Sequence, residues 1–288
     1  MDNKTSAEEN VLKNEQFYNN LYATVNIDDI LKKLSNFNGY LDFATKTYTS
    51  WAGFYKNDFK NQIAGKKVLE LGCGDCLNAA VMAALGAEIV ANDISSQPGR
   101  IILELNKQYP FKYPIQYIYG DFLKADLHAD SFDIISGKNF VHHLTPELEV
   151  EFTRKIVRLL KPGGFVRYFE PAQNSKFLDY IRWMIPVPGR PSKLQKKKFA
   201  KWKAADPHPD RDNSYRSYLK IGKMFFEETE ILPIGSLERF NRIIPQGKFN
   251  LKFRQFAFKA EKLIPRKLDI LIARSQTITY KKPKKNMA

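Results

Sequence analysis

The segment 66–76 constrains the fold most: a short apolar run passes through Glu70 into a Gly-x-Gly turn. An alanine-rich stretch with helical spacing follows the turn. This order predicts a strand, a glycine-rich loop and a helix, the arrangement that binds nucleotide-like ligands at the edge of a parallel α/β sheet. The glycines would let a ligand approach the backbone, and the helix start would offer free N–H groups to an anion. A dinucleotide-binding loop would need a third glycine in place of Leu77, so the segment argues against a dehydrogenase.

Further predicted strands follow in an order that suits one parallel sheet. The segment 87–93 ends in Asp93, about 20 residues past the loop, where a carboxylate can accept hydrogen bonds from ribose hydroxyls. The next predicted strands are 115–122, which ends in Gly-Asp-Phe, 132–136, and 159–171, which contains a Lys-Pro-Gly-Gly turn. Taken singly, each acidic residue would more often be a helix cap or a turn residue. The prediction of a ligand-binding sheet therefore depends on all of these strands and loops occurring in this order.

This series resembles the class I S-adenosylmethionine-dependent methyltransferases, in particular the small-molecule enzymes of the methyltransferase 11 type. The resemblance implies an α/β fold, a Rossmann-like seven-stranded, mostly parallel sheet with an antiparallel last strand. It also implies S-adenosylmethionine as cofactor and S-adenosylhomocysteine as product. In the family pattern Asp121 would bind the adenine amino group, Phe122 the adenine face and Glu70 the ammonium of the methionine moiety. The implied cofactor-binding residues are Glu70, Gly72, Cys73, Gly74, Asp93, Ile94, Asp121, Phe122 and Asn139.

Two histidines follow the fourth predicted strand, where an acceptor would lie. Members of the family commonly have His-His-Leu here, and neutral histidine is the natural base near pH 7. We take His143 as the first candidate for a catalytic base and His142 as the second, although either could be structural. His208, in Pro-His-Pro, is a third candidate. The candidate substrate residues are Tyr18, Tyr22 and Glu170, the last of which could instead have a buried pairing role.

The two cysteines of the chain, Cys73 and Cys76, form a Cys-x-x-Cys inside the predicted cofactor loop. They argue against a disulfide scaffold and fit a reducing compartment. No second cysteine pair accompanies them, so we expect a structural role and no metal. Cys76 stands where the resembling family more often has glycine.

The chain is expected to divide into four segments. Residues 1–12 are expected to be disordered, strand six is expected within 230–240, and strand seven, within 275–282, would pair with it in antiparallel fashion. The segments are an N-terminal helical lid (1–62), a cofactor-binding core (63–174), a basic insertion after strand five that caps the substrate (175–230), and C-terminal strands with a basic helix that complete the sheet (231–288).

Charge is concentrated in the last third of the chain. Residues 1–180 hold 20 basic and 22 acidic side chains, whereas residues 181–288 hold 26 and 9, a net charge of +17. Such asymmetry predicts an acidic partner: an anionic membrane surface, an acidic carrier or carrier-linked substrate, or nucleic acid. The other interpretation is a solvated basic face. Lysines interleave with Phe199 and Trp202, a pattern that suits an interfacial helix or contact with RNA.

These observations predict a methyltransferase that moves a methyl group to a hydroxyl, or less readily an amine, of a small natural-product-type molecule, free or linked to a lipid or carrier. The alternative is an RNA or tRNA methyltransferase that uses the basic C-terminal third. Strand four lacks an Asn-Pro-Pro-Tyr-like motif for methylation of base amino groups. The sequence has neither a signal peptide nor an apolar run long enough to span a bilayer, so we expect a cytoplasmic protein, at most peripheral at the inner membrane surface.

Overall fold

Four helices precede the first strand. The computed structural model of the protein describes residues 6–187, 189–206 and 208–287, with side chains for residues 12–286 of these ranges. The helices are α1 (Ser6–Tyr22), α2 (Ile27–Leu34), α3 (Phe37–Thr47) and α4 (Thr49–Phe54), and a 3₁₀ helix follows at Phe59–Gln62. The expected disorder of residues 1–12 is wrong for residues 6–12, which are helical, and for residues 1–5 it lies outside the described residues.

Within the described residues, seven strands form one sheet in the order β3-β2-β1-β4-β5-β7-β6. Strands β1 to β5 run parallel, and β7 runs antiparallel to both of its neighbours. The predicted fold class is therefore confirmed. The strands are β1 (Lys67–Leu71), β2 (Glu88–Asp93), β3 (Gln116–Tyr119), β4 (Phe132–Lys138), β5 (Leu160–Pro171), β6 (Phe226–Ile234) and β7 (Ser275–Pro283).

Both faces of the sheet are covered, which explains the apolar runs of the central strands. Val68 belongs to the core under helices α5 (Leu77–Ala84) and α6 (Gln97–Gln108), on the same side as the N-terminal helices. Its neighbour Leu69 belongs to the opposite core, with helix α7 (Pro146–Leu159). Successive residues of a strand point to opposite faces, so a strand buried on both faces must be apolar throughout. Polar residues of β1, β2 and β4 are found at the carboxyl ends of these strands. These ends lie at the same edge of the sheet, where the residues can form a site.

Three helices lie between β5 and β6, and we call residues 172–225 the insertion. They are α8 (Lys176–Met184), α9 (Lys196–Ala205) and α10 (Tyr215–Phe225), and two more helices, α11 (Lys248–Ala260) and α12 (Arg266–Ile272), precede β7. Among the described residues, none of the helices combines the length and the apolar character needed to cross a membrane.

The predicted bounds of strand six, 230–240, are wrong. Strand β6 begins at Phe226, which pairs with Pro283, and ends at Ile234. A turn and a 3₁₀ helix (Glu238–Ile243) follow it. The strand lies at the edge of the sheet and carries acidic side chains toward solvent. Its sequence therefore lacks the apolar pattern from which a strand is predicted. The predicted strand seven is confirmed.

Candidate active site

A cleft crosses the carboxyl ends of β1, β2 and β4. It consists of two adjoining cavities, the first of which opens to solvent. Both cavities are lined by Tyr18, Tyr22, Gly72, Asn139 and His143. Every residue predicted to bind cofactor lines one cavity or both: Glu70, Gly72, Cys73, Gly74, Asp93, Ile94, Asp121, Phe122 and Asn139.

The first cavity is formed by the ends of β2 and β3. Asp93, the last residue of β2, is buried, and its carboxylate accepts the backbone N–H groups of Gly74 and Ser95, each at 2.9 Å. Burial raises the pKa of this carboxyl group. These bonds hold the loop after β1 against the end of β2. Asp121 and Phe122 line the far side of the cavity, and Phe122 is buried.

The Gly-x-Gly loop requires glycine for two reasons. Gly72 and Gly74 have φ values of +62° and +56°, in the left-handed region that favours glycine. A Cβ atom on Gly72 would also lie 2.5 Å from the ring of Phe140, and one on Gly74 would lie 2.9 Å from the hydroxyl of Tyr22. Phe140 and Tyr22 thus pack directly against the backbone of the two glycines.

The cysteines of the loop are buried and reduced. Cys76 has a φ of +61°, which accounts for the glycine that the resembling family more often has at this position. Burial raises the pKa of both thiols, so neither is poised as a thiolate nucleophile or metal ligand.

Glu70, the second-last residue of β1, is a buried carboxylate with one oxygen unpaired. Its Oε1 accepts from the side-chain amide of Asn78 at 2.6 Å, whereas Oε2 has no hydrogen-bond partner in the described part of the chain. Burial raises the pKa of Glu70 to about 7. Because Glu70 lines the second cavity, the free oxygen fits a cationic group in the cleft, such as the ammonium of S-adenosylmethionine.

Lys138, the last residue of β4, was not predicted. It lines the second cavity with its ammonium 4.3 Å from the centre of the Trp51 ring, and burial lowers its pKa. A lysine at the end of an apolar strand was the signal that could have identified it. The next residue, Asn139, has a φ of +58° and lines both cavities. A strained backbone of this kind is common at binding sites.

Glu170 is placed differently from the prediction that it contacts substrate. It is fully buried, lines neither cavity, and accepts the backbone N–H groups of Phe140 and Val141 at 2.9 and 2.7 Å. Its Oε2 also lies 2.6 Å from Nδ1 of His142. Glu170 is the second-last residue of β5, which places its carboxylate under the 3₁₀ helix Val141–His143. There it fixes the backbone of the helix and one imidazole. Its role is therefore the buried pairing role and not substrate contact.

His143 connects this 3₁₀ helix to α1. Its Nδ1 lies 3.1 Å from Oδ1 of Asn14, and its Nε2 lies 3.2 Å from the hydroxyl of Tyr18. An amide oxygen only accepts, so Nδ1 carries the proton and Nε2 accepts from Tyr18. Burial, with the neighbouring His142 and His208, lowers the pKa of His143 well below its ordinary value. The ring is neutral at physiological pH.

His208 comes from the insertion and completes a cluster. Its ring centroid lies 4.4 Å from that of His143 and 5.1 Å from that of His142. Its Nδ1 lies 2.5 Å from Oδ1 of Asp206, while burial lowers its pKa. The three histidines singled out in the sequence therefore meet at one place, although the chain separates them widely.

Helix α1 is bonded to the ends of three strands. Oδ1 of Asn19 accepts from the hydroxyl of Ser95 at 2.8 Å, and Glu15 accepts from the hydroxyl of Tyr119 at 2.9 Å. Tyr18 supplies the contact to the third strand end, through His143. Sequence reasoning missed Asn14, Glu15 and Asn19. Their spacing of one helical turn from Tyr18 and Tyr22 was the available signal.

Comparisons with known proteins agree with this geometry. Residues 68–164 match the family model described as "Methyltransferase domain". Among curated proteins, the ubiquinone biosynthesis O-methyltransferase of Thiobacillus denitrificans is 28% identical over 140 residues, 45% of this chain and 57% of that protein. The cypemycin N-terminal methyltransferase of a Streptomyces species is 35% identical over 114 residues, 38% of this chain and 44% of that protein. The chain thus spans about half the length of these curated relatives.

A solved structure shows the same fold. The S-adenosylmethionine-dependent methyltransferase of Archaeoglobus fulgidus superposes with a TM-score of 0.50 at 17% identity, over 79% of this chain and 91% of that one. The fold and the matching domain lead to one assignment: residues 68–164 form a methyltransferase domain, and the chain has the fold of an S-adenosylmethionine-dependent methyltransferase.

Proposed function

We propose that this protein transfers a methyl group from S-adenosylmethionine to a hydroxyl group of a small molecule, carried on a lipid or another carrier. One observation supports this above all: the predicted cofactor residues and three neutral or carboxylate-paired histidines line a single cleft. In this proposal residues 1–62 close the cleft, residues 63–174 hold the cofactor, and the insertion caps the acceptor.

The cofactor, when bound, supplies an electrophilic methyl group on a sulfonium. In the proposal Asp93 accepts from the ribose, Phe122 contacts the adenine, and the unpaired Oε2 of Glu70 binds the ammonium. The methionine moiety lies beside the loop backbone at Gly72 and Gly74, which line the second cavity. Fixing two reactants in line can lower the barrier by about 7–11 kcal/mol, so positioning is the main contribution of these residues.

A hydroxyl acceptor fits the histidine cluster better than an amine does. An oxygen nucleophile must lose its proton, and neutral imidazoles that face the second cavity can accept its hydrogen bond and the proton. His142 is oriented for this by Glu170, as a carboxylate orients the histidine of a catalytic triad. The names of the relatives include both an O-methyltransferase and an N-terminal methyltransferase, so the acceptor atom has to be tested.

The test has two stages. Calorimetry should show micromolar binding of S-adenosylmethionine and S-adenosylhomocysteine, with NAD as the negative control. Matched phenols and anilines, each with and without an alkyl tail, are then incubated with S-adenosylmethionine, and methylated product is measured by mass spectrometry. We expect methylation of the phenols, more rapid with the tail. Methylation of anilines alone would contradict a hydroxyl acceptor, and absence of cofactor binding would contradict the proposal as a whole.

We further propose that the C-terminal third binds an anionic membrane surface. Here the structure corrects one detail: Phe199 and Trp202 are half-buried against Trp183, with ring centroids 5.6 and 5.9 Å away, and do not project as free anchors. Other large apolar side chains are strongly exposed on α8, α11 and the 3₁₀ segments beside them: Phe177, Tyr180, Ile243, Phe249, Phe256 and Leu263.

Cations accompany these apolar side chains. Burial lowers the pKa of Arg182, Asp179 opposes this shift, and the nearby Arg242 and Arg239 add to it. Helix α8 and the 3₁₀ helix Glu238–Ile243 thus bring three guanidinium groups together around one carboxylate. Exposed apolar side chains beside clustered cations are typical of proteins that bind anionic lipid surfaces. A lipid-linked acceptor would be found at such a surface.

Vesicle sedimentation tests the membrane proposal. We expect binding to vesicles with phosphatidylglycerol, weaker binding without it, and loss of binding in high salt. Replacing Ile243 and Phe249 by serine, or Lys196, Lys197 and Lys198 by glutamine, should weaken binding while cofactor affinity stays unchanged. The matched control replaces exposed lysines of the first half by glutamine: Lys60, Lys66 and Lys112. Equal loss in the control, or binding to a short RNA but not to vesicles, would contradict the membrane as partner.

A further inference from the structure

Three of the four histidines of the chain converge at the second cavity. One potential ligand atom from each of His142, His143 and His208 lies within 4.8 Å of the others. His142 and His143 come from the 3₁₀ helix after β4, and His208 comes from the insertion.

The hydrogen bonds give all three rings the same tautomer. Nδ1 of His142 faces the Glu170 carboxylate, Nδ1 of His208 faces the Asp206 carboxylate, and Nδ1 of His143 faces the amide oxygen of Asn14. Each of these oxygens is an acceptor, so each Nδ1 holds the proton. Nε2 is therefore the lone-pair nitrogen of each ring, and in His143 it accepts from the hydroxyl of Tyr18.

Two of the rings have the outer partner that metal-bound histidines usually have. Metal-ligating histidines commonly donate the other ring N–H to a carboxylate, which fixes the ring and increases its basicity. Glu170 is fully buried and supplies this group for His142, and Asp206 supplies it for His208. The two carboxylates carry the charge that would balance a divalent cation held by neutral imidazoles.

We propose that His142, His143 and His208 bind a divalent transition metal ion, Zn²⁺ by its donor set, through their Nε2 atoms. Three histidines with a fourth position left open are a common zinc arrangement, with Zn–N distances of about 2.0 Å, so the nitrogens of a bound site would lie roughly 3.3 Å apart. The ring of His208 is stacked on those of His142 and His143, so metal binding requires the rings to turn until their Nε2 atoms converge. Metal binding replaces the hydrogen bond between Tyr18 and Nε2 of His143.

The open position faces the cleft, and its role rests on the proposed function. With their Nε2 atoms on the metal, the imidazoles would hold the ion and would no longer take the proton of the acceptor. A hydroxyl bound at the open position would become more acidic and would release its proton to solvent. The oxygen lone pair then forms the new O–CH₃ bond as the S–CH₃ bond breaks, and the sulfur leaves with that electron pair as a neutral thioether. The site thereby favours an oxygen acceptor that can coordinate a metal, such as a phenol with a second oxygen beside the first.

Metal binding can be measured without cofactor or acceptor, so its result is independent of methyl transfer. Untagged protein is freed of metal with a chelator and titrated with Co²⁺ and with Zn²⁺, followed by visible absorption and calorimetry. We expect the visible bands of a tetrahedral cobalt site and one Zn²⁺ per chain with micromolar or tighter affinity. His208→Ala should weaken Zn²⁺ binding by more than about 100-fold, and Asp206→Asn by about 10- to 100-fold.

The exposed fourth histidine provides the matched control: His128→Ala should leave binding unchanged. Tyr18→Phe should leave it unchanged or tighter, because it removes a competing hydrogen bond from His143. The proposal is overturned by Zn²⁺ binding that His208→Ala does not affect, by absence of binding, or by a sulfur-to-cobalt charge-transfer band, which would assign the metal to the cysteines. Metal binding with no methyl transfer to any acceptor would contradict the proposed function alone.

Discussion

Oε2 of Glu170 lies 2.6 Å from Nδ1 of His142, so a residue of β5 fixes an imidazole that follows β4. The same carboxylate holds the backbone of the 3₁₀ helix Val141–His143. Two neighbouring parallel strands are thus joined where the acceptor would lie, and the sequence separation between the two residues conceals this contact.

Glu170→Gln tests this relationship. An amide has one acceptor oxygen and no charge, so it cannot replace all of the bonds, and we expect a loss of about 2–3 kcal/mol in the free energy of unfolding. Methyl transfer should fall well below the wild-type rate even at temperatures where the variant is folded. Thermal unfolding and initial rates measure the two effects, with exposed Glu147→Gln as control. Wild-type stability in the Glu170 variant would show that the carboxylate is dispensable.

Cofactor affinity should depend on pH through Glu70. Burial raises its pKa to about 7, so below that pH the group is protonated and cannot pair with an ammonium. We expect affinity for S-adenosylhomocysteine to rise with pH up to about 7 and then to level off. In Glu70→Gln the affinity should be lower at pH 8 and flat with pH. Calorimetry from pH 5.5 to 8.5, in steps of about half a pH unit, measures both; parallel curves for the two proteins would refute the assignment.

The same group should affect stability without cofactor. Its folded-state pKa of about 7 lies above the ordinary value of 4.5, so its contribution is present below pH 4.5 and is lost as the pH rises toward 7. Relative to Glu70→Gln, the wild-type protein should lose about 3 kcal/mol across this interval. Urea unfolding at both pH values provides the measurement, and an equal change in the two proteins would be the contrary result.

Asp93→Ala should abolish cofactor binding. It removes the predicted ribose contact and also the acceptor that holds the N–H group of Gly74 in the loop. Calorimetry with S-adenosylhomocysteine measures the effect, and Asp126→Ala, an exposed aspartate beyond the site, is the control. Retained affinity in the Asp93 variant would mean that the end of β2 does not bind the cofactor.

Arg211 should be needed to hold the insertion in place. It donates to the carbonyl groups of Val141 and Leu144 and lies 2.5 Å from Glu149, with both side chains nearly fully buried. Arg211→Met leaves the carboxylate of Glu149 buried without its partner, which typically costs about 3–5 kcal/mol. The double variant Arg211→Met/Glu149→Gln should recover part of this loss. Chemical denaturation measures all three proteins, and additive losses would exclude a coupled pair.

The residues proposed to bind the cofactor come together in the structure because they are placed locally. Glu70 and the glycines lie on one strand–loop–helix unit, and Asp93 and Asp121 follow neighbouring strands, whereas their roles come from the family resemblance and stay predictions. The acceptor half depends on tertiary contacts. Nothing in the local sequence indicates that Glu170 lies under His142, that Arg211 binds Glu149, or that Asn14 reaches His143.

Strand β6 was misplaced for a different reason. Its acidic residues face solvent at a sheet edge, where burial imposes no apolar pattern. Lys138 was overlooked because a single cation at the end of an apolar strand is a weak signal, although its burial beside Trp51 is distinctive in the structure.

The hydrogen bonds of α1 have a kinetic consequence. Asn19, Glu15 and Tyr18 attach this helix to the ends of β2, β3 and β4, directly across the cleft. These bonds hold α1 beside the cofactor loop. We expect the helix to detach when S-adenosylhomocysteine leaves, so that the rate of the enzyme at saturation reports this opening and not the transfer of the methyl group.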